Sequence, residues 1–158
     1  MSNFVPSRSS AIEGKRHFAI VASKFNEHYV QGLIDHATEE LKSLSPEAEI
    51  SLHRVPGAFE IPVVARELAL QEKADVVLAL GVILQGKTSH AQNLSHSVTK
   101  ALQQIALEYG IPVINAVLSL ETEALAKERC LGSEINRGTE AARAAVEMAK
   151  VMEGLRAR

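Results

Sequence analysis

The sequence predicts an α/β domain: a three-layer α/β/α sandwich around a four-stranded parallel sheet, of flavodoxin-like type. Three observations carry this expectation. Short β-rich runs alternate with longer segments of helical periodicity. That alternation demands parallel pairing through right-handed crossovers. The third β-rich run, DVVLAL, is apolar throughout, as a strand covered on both faces should be.

The elements follow in order. Residues 1–16 form a polar N-terminal arm, ordered only against a neighbouring molecule, and residues 17–158 form a single domain. HFAIVAS, from His17 to Ser23, is the first strand. Tyr29 to Leu44 is a helix, with Val30, Leu33, Ile34, Ala37 and Leu41 on one face. Glu49 to Val55 alternates as the second strand, and Glu60 to Gln71 is helical after an irregular start at Pro62. Asp75 to Leu80 is the third strand. His90 to Tyr109 is a helix carrying Leu94, Val98, Leu102, Ile105 and Tyr109 on its stripe, closed by Gly110 and Pro112. Ile111 to Leu118 is the fourth strand. Two helices end the chain, near 121–130 and 138–155, the last with Ala141, Ala145, Met148, Met152 and Leu155 along one face.

Bulk composition narrows the function. A chain of 158 residues builds one domain with a full core. Its net charge of −2 and its 4% aromatic content offer neither a basic stripe nor a stacking platform, so no nucleic-acid partner is expected. No apolar run approaches the roughly 18 residues of a membrane span, so no membrane partner is expected either. The start lacks the apolar centre of a secretory signal. The single cysteine, Cys130, forms no internal disulfide, which suits a reducing, cytoplasmic setting. Its thiol is either a nucleophile or a packing group. The six histidines include no pair at i, i+3 or i+4 spacing, so clustered metal ligands are absent from the pattern.

In such sheets ligands bind beyond the carboxyl ends of the strands. The four strand-ends are SKFNEH (23–28), VPGAFE (55–60), GVILQGKTSH (81–90) and VLSLET (117–122). The third contains G-x-x-x-x-G-K-T, the pattern of a nucleotide-phosphate loop. Its variable positions argue against that reading. Val82 and Ile83 resist the unusual conformations of a phosphate nest and read as more strand. Nucleotide hydrolysis also needs a carboxylate-held Mg²⁺. The only aspartates are Asp35, in a helix, and Asp75, at a strand start. The shorter piece QGKTSH survives as a helix-start site for one phosphate, with Thr88 or Ser89 able to cap the helix.

Taken together, F-N at 25–26, V-P-G-A-F-E-I-P at 55–62, G-V-I-x-x-G-x-T-x-H at 81–90, P-V-I at 112–114, E-R at 128–129 and R-G-x-E at 137–140 resemble the lumazine synthase family. The resemblance runs in order from about residue 17 to 152. It implies a transferase of riboflavin biosynthesis that takes two small-molecule substrates and needs no metal or organic cofactor. 5-Amino-6-(D-ribitylamino)uracil condenses with 3,4-dihydroxy-2-butanone 4-phosphate to give 6,7-dimethyl-8-ribityllumazine, phosphate and water.

The resemblance also implies residue roles. Phe25 offers an apolar face to the pyrimidine ring. Asn26, Gly57, Ala58, Phe59, Glu60, Val82, Ile83 and Leu84 surround the ring and ribityl chain, Glu60 accepting from hydroxyls. Asn115 stands where many members carry an aromatic wall. Gly86, Lys87, Thr88, Ser89 and Arg129 form the phosphate site, Arg129 through its bidentate guanidinium. His90 transfers protons and Glu140 orients it or stabilises its cation. Ala91 and Gln92 replace an aromatic and an acid common in the family. The family assembles as pentamers with shared sites. Phe25, 57–60 and 81–90 then belong to one subunit, Asn115 and Arg129 to the next. LGSEI at 131–135 keeps one glycine of a turn common in shell-forming members, leaving an icosahedral shell of pentamers as the larger alternative. A ligand-binding or shell-forming protein without catalysis, and a nucleotide triphosphatase, are the rival readings.

Overall fold

A computed structural model describes residues 5–86 and 89–157. Its four strands form one parallel sheet: β1 (His17–Ser23), β2 (Glu49–Val55), β3 (Val76–Leu84) and β4 (Val113–Leu120), in the order β2-β1-β3-β4. Register pairs Ile20 with Leu52 and with Leu78, and Leu78 with Ile114. The central strands β1 and β3 are buried almost throughout, as their unbroken apolar runs require.

Period-two alternation divides each strand between two cores. Phe18, Ile20, Leu78, Leu80 and Val82 face helices α1 (Glu27–Leu44) and α5 (Arg137–Arg156). Ala19, Val21, Val77, Ala79 and Ile83 face α2 (Ile61–Leu70) and α3 (His90–Tyr109). The three-layer sandwich and the 2-1-3-4 order of a flavodoxin-like domain follow. A short α4 (Glu123–Ala126) runs directly into a π-helical turn, Lys127–Leu131.

The α1 stripe is buried as expected. The helix starts earlier, at Glu27, because Asn26 adopts the left-handed conformation (φ 59°) and reverses the chain abruptly. A 3₁₀ turn, Ala58–Glu60, precedes α2, and Pro62 sits in the first turn of that helix, where its missing N–H costs nothing. β4 is displaced to Val113–Leu120. Gly110 ends α3 with φ 62°, and the Pro112 carbonyl accepts from Val77 N–H at 3.0 Å before the strand begins. On α5 the buried face is Gly138, Ala141, Ala142, Ala145, Val146 and Ala149. Leu155 is exposed, because 3.6-residue periodicity rotates it away from the sheet.

Residues 5–16 of the arm lie against their own chain. Ile12 is buried, and its N–H donates to the Leu44 carbonyl. Arg8 and Arg143 clasp opposite oxygens of Glu40, and Lys150 holds Ser10. The sequence reading that ordered the arm only against a neighbour could not see these long-range charge pairs. Among the described residues, no helix is long and apolar enough to cross a membrane.

Candidate active site

The β1–α1 connection is stitched to β2. Lys24 N–H donates to the Val55 carbonyl at 2.8 Å and Phe25 N–H to the Pro56 carbonyl at 3.1 Å. Arg54 Nη2 adds a bond to the Ser23 carbonyl at 3.2 Å. With its backbone fixed, Phe25 is left 73% exposed. Phe59, on the 3₁₀ turn, is 69% exposed. Two solvent-facing aromatics beside three strand-ends offer apolar faces to a flat ligand.

They rim a cavity of about 250 Å³. Phe25, Asn26, Gly57, Ala58, Phe59, Glu60, Val82, Ile83, Leu84 and His90 all line it. So do Ser23, Ala91 and Leu94, which sequence reasoning did not assign. Ser23 gave no signal, being a small residue at a strand end. Ala91 and Leu94 belong to the helical stripe and its neighbour, so the period of α3 could have found them. Val82 points its side chain into the α1/α5 core, so the cavity meets its backbone. Asn26 Nδ2 donates to the Val82 carbonyl at 2.8 Å, joining two walls of the site.

β3 continues unbroken through Val82, Ile83 and Leu84, paired with Leu118, Ser119 and Leu120 of β4. These residues are strand, so the nucleotide-loop reading is overturned. Gly86 is exposed with open space beside it. Lys87 and Thr88 lie outside the described residues. Ser89 occupies the N-cap position of α3; its side chain makes no cap hydrogen bond, and its carbonyl accepts from Asn93 N–H at 3.0 Å. His90 is the first residue of α3 and is exposed.

Gly86, Ser89, Asn115, Arg129 and Glu140 do not line this cavity within one chain. Asn115 is exposed on β4 and its amide is already engaged. Its Nδ2 donates to Thr99 Oγ1 at 3.3 Å, and its Oδ1 accepts from Val117 N–H at 3.0 Å. Arg129, 6% exposed, rides on the π-helical turn. Glu140, 7% exposed, starts α5 on the opposite face of the sheet from α3, and Arg137 Nη1 donates to both of its oxygens at 2.7 Å. The neighbouring Cys130 is fully buried, and burial pushes its thiol up to about 12. That makes it a packing group and no nucleophile at neutral pH.

A doubly wound parallel sheet with an aromatic-rimmed cleft beyond its strand ends defines a small-molecule-binding α/β domain. His90, at the start of the following helix, also lines that cleft. Comparison with known proteins makes the class specific. The chain belongs to the 6,7-dimethyl-8-ribityllumazine synthase family, whose model matches residues 15–153. A 6,7-dimethyl-8-ribityllumazine synthase of Desulfotalea psychrophila is 38% identical over 156 residues, covering 98% of this chain and 99% of that protein. One from Halorhodospira halophila is 40% identical over 141 residues, covering 89% and 90%.

Proposed function

We propose that this chain condenses 5-amino-6-(D-ribitylamino)uracil with 3,4-dihydroxy-2-butanone 4-phosphate to form 6,7-dimethyl-8-ribityllumazine, releasing phosphate and two molecules of water. The observation that carries this reading is convergence. Three separate strand-ends bring Phe25, Asn26, Gly57–Glu60, Val82–Leu84 and His90 to one cavity in a chain of this family.

The chemistry suits those groups. The pyrimidine lies on Phe25, its polyol reaches Glu60 and the backbone beside it, and the substrate amine is itself the nucleophile. It attacks the ketone and water leaves to give an imine; phosphate is eliminated to leave an enol that tautomerises to a second ketone, and the other amine closes the ring on that carbonyl with loss of a second water. His90 relays protons in these steps. Holding both substrates in register supplies most of the acceleration.

A cavity of about 250 Å³ is small for two substrates, since small-molecule sites span roughly 300–1,000 Å³. That shortfall supports sites completed by a neighbouring subunit, which adds Arg129, Glu140 and the Asn115 strand; the family resemblance makes that assembly a homo-pentamer in this reading. Gly86, Lys87, Thr88, Ser89 and Arg129 then grip the phosphate. A cytoplasmic location belongs to the same reading.

An absorbance assay with both precursors tests the function. Lumazine formation dependent on both substrates is expected. Binding of the pyrimidine without product would instead support the non-catalytic alternative, which the residues at 91, 92 and 115 favour. Light scattering tests the assembly, and a monomer would overturn the shared site.

A further inference from the structure

Asn136 is 3% exposed and uses the whole capacity of its amide. Its Oδ1 accepts from Gly138 N–H at 2.9 Å and Thr139 N–H at 3.1 Å, capping α5. Its Nδ2 donates to the Cys130 carbonyl at 3.0 Å and the Gly132 carbonyl at 2.8 Å. One side chain therefore ties the end of the π-helical turn to the start of α5. A π turn is rare and leans on support from outside its own ladder, and such turns recur at functional sites. Here that support is Asn136.

The junction is also sterically exact in its demands. A Cβ on Gly32 of α1 would meet the Cys130 carbonyl oxygen at 2.4 Å, and a Cβ on Gly138 would meet the Leu33 carbonyl oxygen at 2.4 Å. The turn and α5 are thus both seated on α1 backbone, with Asn136 locking them together. Arg129 stands one residue before Cys130, and Arg137 and Glu140 stand one and four residues after Asn136.

We propose that Asn136 is a positioning residue for phosphate binding, fixing Arg129 on the π turn in register with the Arg137–Glu140 pair. This rests on the reading above that Arg129 grips the substrate phosphate. Asn136 touches no substrate itself; it acts by holding the turn that presents the guanidinium.

The test is steady-state kinetics on the assembled full-length protein with both substrates, plus competitive inhibition by inorganic phosphate. Asn136→Asp keeps both acceptors for the α5 cap and removes both donors to the turn. Its expected result is a KM for the ketose phosphate raised about tenfold, the loss typical when a hydrogen bond to a charged group is misaligned. The phosphate inhibition constant should rise in parallel with the pyrimidine KM nearly unchanged, while the melting temperature falls because the Cys130 and Gly132 carbonyls lose their donors. Asn136→Ser, uncharged and also lacking the paired donors, should give the same split if the aspartate variant folds poorly. Unchanged phosphate inhibition in either folded variant overturns the proposal, as does an equal rise in both KM values. Arg129→Ala separates the two levels. If it leaves phosphate inhibition unchanged, the phosphate-grip reading fails; if it weakens inhibition while the Asn136 variants do not, only the positioning role fails.

Discussion

Asn26 Nδ2 donates to the Val82 carbonyl oxygen at 2.8 Å, and that bond couples the loop carrying Phe25 to the carboxyl end of β3. Asn26 meets two demands at once. Its backbone takes the left-handed conformation, which asparagine tolerates better than most residues, and its side chain spans the cavity wall.

The two demands can be separated by substitution. Asn26→Gly keeps the backbone conformation and removes the tether. It should raise the KM for the pyrimidine about fivefold, as expected for loss of roughly 1 kcal/mol of hydrogen bonding. Asn26→Val should do the same and also lose about 1–2 kcal/mol of stability to left-handed strain. Thermal melting beside steady-state kinetics distinguishes them. A glycine variant with wild-type KM would remove Asn26 from the site's architecture.

His90 should matter for rate more than for binding. General acid–base groups contribute about 10²–10⁴-fold, while positioning of the substrates persists without them. His90→Ala should therefore lower kcat by about 10²-fold and leave measurable turnover. Wild-type-like kcat in the same assay would refute the assignment.

Cys130 should be silent in the native state. It is wholly buried and its thiol is pushed up to about 12, so little thiolate exists at neutral pH. A colorimetric thiol reagent should detect no reactive thiol in native protein and one per chain in guanidinium. Rapid labelling before unfolding would contradict the burial.

These residues show what periodicity and motifs can and cannot reveal. The strands β1 and β2 and the helix α3 were legible to the residue, because apolar period and flanking turn chemistry agree there. Ten of the positions named from family motifs, His90 among them, line one cavity, while Asn115 does not. The π turn was not, because a wide turn leaves no period of its own in four or five residues. Ser119 and Leu120 were read as loop, yet they are strand, since their pairing with β3 is a tertiary fact. Asn136 falls in a similar blind spot: an N-cap is visible in sequence, but its two bonds back to the turn are not.

Glu40 gives the last prediction. Burial by itself raises its carboxyl, but hydrogen bonds from Arg143 and Arg8, with their charges, outweigh burial and hold it below the ordinary 4.5. Arg143 Nε reaches Oε2 at 2.6 Å and Arg8 Nη2 reaches Oε1 at 2.9 Å. Arg143 Nη1 also donates to the Pro6 carbonyl at 3.0 Å, so the carboxylate organises the arm through both arginines. A carboxyl with a depressed folded pKa contributes stability that is fully present above its unfolded value. That contribution is lost as pH falls through the folded value, so the arm should loosen only below pH 4.5. Glu40→Gln should cost about 1–2 kcal/mol at neutral pH, discounted from a fully buried pair because Arg8 is half exposed. Melting temperatures of the two proteins should therefore differ at pH 7 and converge as pH drops below 4.5. A gap that stays constant through that range would mean that the Glu40 charge does not hold the arm.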